Sequence, residues 1–262
     1  MGRRPQDTFC RVKTMKSYGE LAKIYDKLMD HIDYAAYTDF YLSLAAKHGW
    51  KGRKILDLAC GTGNISLELL KQGYEVQGLD ISEEMLMVAD EKIYGAGFTP
   101  RLYRQNMRNF QLMEKVDLVI SAFDSLNYLL KEEDLERTFS CVYRALDEHG
   151  LFLFDVHSYH KFTHVLGQNT LAYAGDDLCY IWQNNFSGET GICEMNLDIF
   201  LREKGAIYRR FQEYHRERYY SEAQLKHLLE RNNFTVLAIY DDLKYTAPHP
   251  KAERLFYVAQ KA

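Results

Sequence analysis

The sequence predicts an α/β fold: a mostly parallel sheet with helices on both faces and an antiparallel insertion. Three observations predict it. Between Lys54 and Val156, five short apolar runs are interleaved with polar, helix-length stretches. Parallel strands of that spacing are joined by right-handed crossovers, which cover both faces of the sheet. After His157 the texture changes to long strands joined by tight turns, and strands linked so closely are antiparallel. The length of 262 residues, 47% apolar and 27% charged, suits one large domain of this kind.

Each element has a local reason. Residues 1–16 lack periodicity and read as a flexible leader, which leaves a single domain over 17–262. From Tyr18 onward Leu21, Ile24, Tyr25, Leu28 and Met29 recur at spacings of three and four and predict a helix. Tyr37, Phe40, Tyr41 and Leu44 mark a second helix, ended at His48-Gly49. Lys54 to Leu58 is the first strand, Asn64 to Gln72 a helix closed by Gly73, and Tyr74 to Asp80 the second strand. Ser82 caps a helix to about Tyr94, with Glu83 and Glu84 against the positive end of its dipole. Thr99 to Arg104, Val116 to Ser121 and Leu151 to Val156 are further strands, and Lys131 to Leu146 is a helix. Leu178 to Phe186, Gly191 to Arg202 and Ala206 to Tyr220 form an antiparallel flap inserted at about 170–220. A helix from Ser221 to about Arg231 and strands at Phe234 to Tyr240 and Leu255 to Ala259 return the chain to the main sheet.

Composition excludes several classes. With 33 Lys+Arg against 37 Asp+Glu, a net charge of −4, nothing argues for nucleic acid as a partner. No apolar run approaches the roughly 20 residues that span a bilayer, and MGRRPQDTFCRVK has no apolar core behind its basic residues. Five cysteines without a close pair point to a reduced, cytoplasmic protein. His157, His160 and His164 recur at helical spacing, but no acidic pattern completes a metal site and none is expected. The mixed charges from Arg202 through Arg209, Arg210, Glu213, Arg216, Glu217 and Arg218 read as a solvated outer face of the flap. The long strands leave a homodimer open.

The chemistry concentrates in Ile55-Leu56-Asp57-Leu58-Ala59-Cys60-Gly61-Thr62-Gly63-Asn64, a strand running through a glycine turn into a helix. Such a turn lets a ligand approach the backbone and offers it the unpaired N–H groups of a helix start. Asp80 ends the second strand, where an acid accepts hydrogen bonds from both hydroxyls of a ribose. A nucleoside-containing cofactor follows. Its charge separates the alternatives: Asp57 would repel a pyrophosphate, and Ser66 stands where a dinucleotide turn needs glycine or alanine. The same carboxylate attracts an ammonium and a sulfonium, so S-adenosyl-L-methionine fits and NAD does not.

The segment from Tyr18 to about Val156 resembles a class I S-adenosylmethionine-dependent methyltransferase. The resemblance rests on the glycine turn, on Gly78-Leu79-Asp80-Ile81-Ser82-Glu83-Glu84-Met85, on Arg104-Gln105-Asn106-Met107-Arg108-Asn109-Phe110 and on Phe123-Asp124-Ser125-Leu126-Asn127-Tyr128. It implies a Rossmann-like, seven-stranded sheet with an antiparallel last strand and the cofactor across the carboxyl ends of the strands. It implies that Asp80 holds the ribose, Ile81 and Met85 flank the adenine, and Asp57 with Ala59, Gly61 and Gly63 holds the methionine end. Asn106, standing where the family usually has Asp, accepts the adenine amino group, and Met107, Ser121 and Phe123 are also assigned to the cofactor site. Tyr18-Gly19-Glu20-Leu21-Ala22-Lys23-Ile24-Tyr25-Asp26 is similar to a motif of glycine and sugar N-methyltransferases, which implies that Tyr18 and Tyr25 fold over the cofactor.

Methyl transfer from a sulfonium needs alignment and exclusion of water more than it needs a base. A base matters where the acceptor arrives protonated, and Tyr128, after the fourth strand, and His157 and Tyr159, after the fifth, are the candidates on the strand-tip loops, with Tyr128 and His157 taken for that role. The expected activity is methylation of a nitrogen or oxygen on a small-molecule acceptor. The alternatives are a non-enzymatic cofactor binder that serves as a scaffold, and a methyltransferase acting on RNA or protein.

Overall fold

A computed structural model describes residues 21–262. Seven strands form one sheet: β1 (Lys54–Leu58), β2 (Glu75–Asp80), β3 (Leu102–Arg104), β4 (Val116–Ser121), β5 (Leu146–His157), β10 (Phe234–Asp241) and β11 (Arg254–Lys261). Their order is β10-β11-β5-β4-β1-β2-β3, and β11 alone runs against the direction of the other six. The order reverses at β1, so the carboxyl ends of β1 and β4 flank the crevice where open α/β sheets bind ligands.

Strand periodicity sorts the core into two halves. Leu56, Leu58, Val119, Phe152, Phe154 and Tyr257 face α5 (Glu132–Ala145) and α6 (Glu222–Arg231). Ile55, Leu118, Ile120, Leu153, Phe256 and Val258 face α2 (Tyr34–Lys47) and α3 (Asn64–Lys71). α4 (Glu83–Gly95) starts at Ser82, whose hydroxyl accepts the Met85 N–H at 3.2 Å. β3 is shorter than expected because Pro100 has no N–H for the ladder.

The second sheet is antiparallel, β6 (Thr170–Ala174), β7 (Leu178–Ser187), β8 (Ile192–Lys204) and β9 (Ile207–Arg218), in that order. Sequence reasoning missed β6, a short strand at the sheet edge with most of its side chains exposed. The expected helix after Tyr18 is instead a 3₁₀ turn, Leu21–Lys23, followed by the single turn α1 (Tyr25–Leu28). A helix that short is not stable by itself. It is held by tertiary contacts, with Leu21 and Ile24 packed on Leu178 and Ile199 of the second sheet. Tyr18 and residues 1–16 lie outside the described residues.

Candidate active site

The glycine turn sits at the carboxyl end of β1. Ala59, at φ 63°, and Gly61, at φ 54°, take left-handed conformations, and open space lies where a Gly61 side chain would be. At Gly63, φ 75°, an added Cβ would come within 2.9 Å of Ala89, so glycine permits the close approach of α3 to α4. Asp80 pins the turn: it accepts the N–H of Gly61 at 2.9 Å and that of Ser82 at 2.8 Å. Burial raises its carboxyl above the ordinary value against these hydrogen bonds.

Asp57 lies behind the turn, 2% exposed, and accepts the Ser66 hydroxyl at 2.6 Å. Burial, reinforced by Asp80, pushes it up to about 7. The sequence argument gave Asp57 a full negative charge facing the ligand; here that charge is buried and only partly developed at neutral pH. Ser66 stands in for the third glycine of a dinucleotide turn because its hydroxyl serves Asp57.

The remaining residues expected around a cofactor divide. Ile81 is 60% exposed beside Asp80, whereas Met85 is 2% exposed and belongs to the core face of α4. The Asn106 side-chain oxygen accepts the N–H of Arg108 at 3.0 Å and its Nε at 3.1 Å. Met107 packs at the edge of the core formed with α5. Ser121, fully buried at the end of β4, has an Oγ without a hydrogen-bond partner among the described residues. Phe123 packs on Tyr34 and Tyr37 of α2, with ring centroids 5.4 and 4.9 Å away. Tyr25 lies within electrostatic reach of Tyr34, Asp124 and Arg254, and its phenol is raised chiefly by burial. The next residue, Asp26, accepts Thr62 Oγ1 at 2.7 Å and Asn64 Nδ2 at 2.9 Å and pairs with Lys92 at 2.6 Å, fastening α1 to the glycine turn.

A second group of polar residues gathers at the carboxyl ends of β4 and β5. Phe123 and Asp124 occupy left-handed backbone conformations, φ 55° and 49°, which non-glycine residues seldom adopt consecutively. Asp155 holds them there, accepting the N–H of Phe123 at 2.7 Å and of Asp124 at 2.9 Å. Tyr41 and Arg254 also hydrogen-bond Asp155. Arg254 reaches Asp124 at 2.8 Å. His157 lies between two acids, with Nε2 3.3 Å from Asp124 and Nδ1 3.0 Å from Glu217. Asn127 fixes the strand end by accepting the His157 N–H at 3.0 Å and donating to the Arg218 carbonyl at 2.8 Å. Burial works against the Asp124 charge, but His157 and Arg254 outweigh it and hold the carboxyl below its ordinary value. Burial and Asp124 raise Glu217.

Glu217 corrects the reading of β9 as a solvated face. Glu213, His215 and Glu217 alternate inward and are 5%, 9% and 3% exposed, while Arg210 and Arg216 point out. The spacing of two on a strand was the available signal; charges on both faces masked it. Burial lowers His215 to about 4. Tyr128, 36% exposed, stands edge-on to His215 at 6.0 Å, so both expected catalytic residues meet β9. Of the histidine triplet, only His157 joins the cluster; His160 and His164 stack on each other at 4.6 Å. Ligand atoms of Asp124, His157 and Glu217 lie within 4.8 Å of one another, a spacing that suits a metal ion. Arg254 against Asp124 repels a divalent cation twice as strongly as a singly charged group, so no metal ion is assigned there.

Comparison with known proteins fits this geometry. Residues 55–150 match the family model described as a methyltransferase domain. A relative from Geobacillus sp. (strain WCH70), named a methyltransferase, is 37% identical over 94% of this chain and 100% of its own length. The glycine/sarcosine N-methyltransferase of Aphanothece halophytica is 28% identical over 59% of each chain. The crystal structure of an S-adenosylmethionine-dependent methyltransferase from Clostridium acetobutylicum ATCC 824 superposes with a TM-score of 0.84 at 34% identity, covering 93% of this chain and 98% of that one. The chain belongs to the S-adenosylmethionine-dependent methyltransferases. It is an enzyme, and S-adenosylmethionine is its cofactor. The residues fit that group: the buried Asp57 and the partly buried Asp80, acids whose ionisation a cationic ligand would favour, stand at the turn, and Ser121 Oγ is a buried polar atom in need of a partner. No helix among the described residues is long and apolar enough to cross a membrane.

Proposed function

We propose that the enzyme methylates a nitrogen or oxygen of a small-molecule acceptor bound at the carboxyl ends of β4 and β5, beneath the four-stranded sheet. The observation that carries this reading is the strained Phe123-Asp124 turn, locked by Asp155 and covered by β9. A site roofed by a sheet accepts a small molecule more readily than a polymer. The glycine/sarcosine relative, whose name states a small acceptor, supports the same direction.

In this reading Asp80 takes the ribose hydroxyls, Ile81 covers the adenine, and the turn from Ala59 to Gly63 with Ser121 receives the methionine end. When bound, the cofactor supplies a methyl group already activated on sulfur. Tyr25 and Phe123 screen the site from water, and Tyr128 and His157 face the acceptor. The chain works in the cytoplasm, without nucleic acid as substrate.

Calorimetric titration with S-adenosylmethionine, S-adenosylhomocysteine and NAD tests the cofactor site. Binding of the first two and not of NAD is expected, with Asp80→Ala weakening it by about tenfold or more. Radiolabelled methyl transfer to a panel of small amines, amino acids and hydroxylated metabolites tests the acceptor class. Label found only on RNA or protein would overturn it.

A further inference from the structure

We infer that Asp124, His157 and Glu217 form a cation-binding acceptor subsite, so that the acceptor is an amine that docks as its ammonium ion. This inference rests on the methyltransferase reading above and names the substrate class of the same site.

Charge and its distribution carry the argument. The titratable groups facing the cluster come from several elements, with Tyr37 of α2, Cys193 of β8 and Asp242 after β10 among them. Asp124 follows β4, Asp155 and His157 lie on β5, Glu217 on β9 and Arg254 on β11. Tyr25 comes from α1, and Lys161 is paired with Glu253 at 2.7 Å. Four carboxyl groups, Asp242 being the fourth, therefore confront one guanidinium and one imidazole. Arg254 is the one fixed positive charge among them, so negative charge remains beyond what it neutralises.

That surplus belongs to Asp124 and Glu217. Asp155 is answered by Arg254, the Tyr41 hydroxyl and two backbone N–H groups. Arg254 is occupied in turn by Asp155 and Asp124, so it is not available to an acceptor carboxylate. His157 Nδ1 is directed at Glu217, and its Nε2 lies 3.3 Å from both Asp124 and the Arg254 guanidinium. What the cluster lacks is positive charge, and a protonated amine supplies it together with hydrogen-bond donors.

The same arrangement handles the proton. Asp124 is held in its ionised form, while burial and Asp124 raise the proton affinity of Glu217, which separates a binding carboxylate from a proton-accepting one. The ammonium docks against Asp124 and gives one proton to the His157–Glu217 pair. The freed nitrogen lone pair forms the new bond to the methyl carbon as the carbon–sulfur bond breaks, its electrons going to sulfur. The product leaves as a methylated ammonium, and the proton on the pair passes to water. Glu217 acts from the second sheet, so the sheet that roofs the site also supplies its proton acceptor.

Sinefungin tests this without knowledge of the acceptor. It shares the adenosine and amino-acid ends of S-adenosylhomocysteine but carries a protonated amine where the transferable methyl would be. Calorimetry at pH 8 is expected to show sinefungin binding at least about tenfold tighter than S-adenosylhomocysteine, with the preference falling to near unity in Glu217→Gln. In that variant S-adenosylhomocysteine affinity should be unchanged, which also reports that it is folded. Equal affinity of the two compounds in the unaltered enzyme, or a preference that survives both Glu217→Gln and Asp124→Asn, would overturn the inference. Failure of both compounds to bind would instead remove the methyltransferase reading. Should Glu217→Gln not fold, the ratio in the unaltered enzyme still decides: a preference supports the subsite, and unity overturns it.

Discussion

Asp57 places a carboxyl group where burial favours its proton. Its ordinary value is 3.8 and its folded value about 7, so between those limits the folded chain holds a proton that the unfolded chain has released. Stability from this group is therefore greatest at the acid end of the window and declines as pH rises through about 7. Thermal melts across pH 4 to 8 should show that decline, and Asp57→Asn should flatten it. Binding of a cationic cofactor favours the ionised acid, so affinity should weaken below about pH 7 and the weakening should diminish in the same variant. Asp57 and Asp80 were legible as acids at strand tips; their protonation was not, because burial is a property of the packed α3 and not of the local sequence. Glu217 and Arg254 were hidden for a related reason. They meet the β4 end only after two sheets have formed, across sequence separations that no spacing rule spans.

α1 shows how a segment too short to be stable alone is held in place. Asp26 reaches Thr62, Asn64 and Lys92, while Leu21 and Ile24 rest on β7 and β8. Burial opposes the Asp26 charge, but hydrogen bonds from Lys92, Thr62 and Asn64 outweigh it and keep the carboxyl below its ordinary value. Asp26→Ala should raise amide hydrogen exchange over residues 21–29 by about fivefold, in line with the loss of one partly exposed ion-pair network, while exchange in β4 and β5 stays unchanged. The longer elements were readable because each carries its own signals: Ser221 and Gln224 form a capping box at α6, and Gly49, at φ 87°, follows the end of α2. β6 and the broken helix at Leu21 carry no such signals and take their form from neighbours.

Across the molecule, Arg254 is the one guanidinium in the cluster that joins β4, β5, β9 and β11. Its removal leaves the buried Asp155 without a counter-charge and Asp124 with His157 alone. Arg254→Met should lower unfolding free energy in urea by about 3–5 kcal/mol, and adding Asp155→Asn should recover part of the loss. The architecture itself was largely legible, since alternation of strands and helices fixes a parallel sheet, and the antiparallel β11 followed from the resemblance. The order of synthesis gives Arg254 a further consequence. Asp124, Asp155 and Glu217 all precede it in the chain, so a nascent polypeptide acquires three acids for its centre before it acquires the cation that lets them be buried together. β11 also fills the gap between β10 and β5. Assembly of the site therefore awaits the emergence of β11, and chains halted before Arg254 present an unpaired β5 edge beside unneutralised acids.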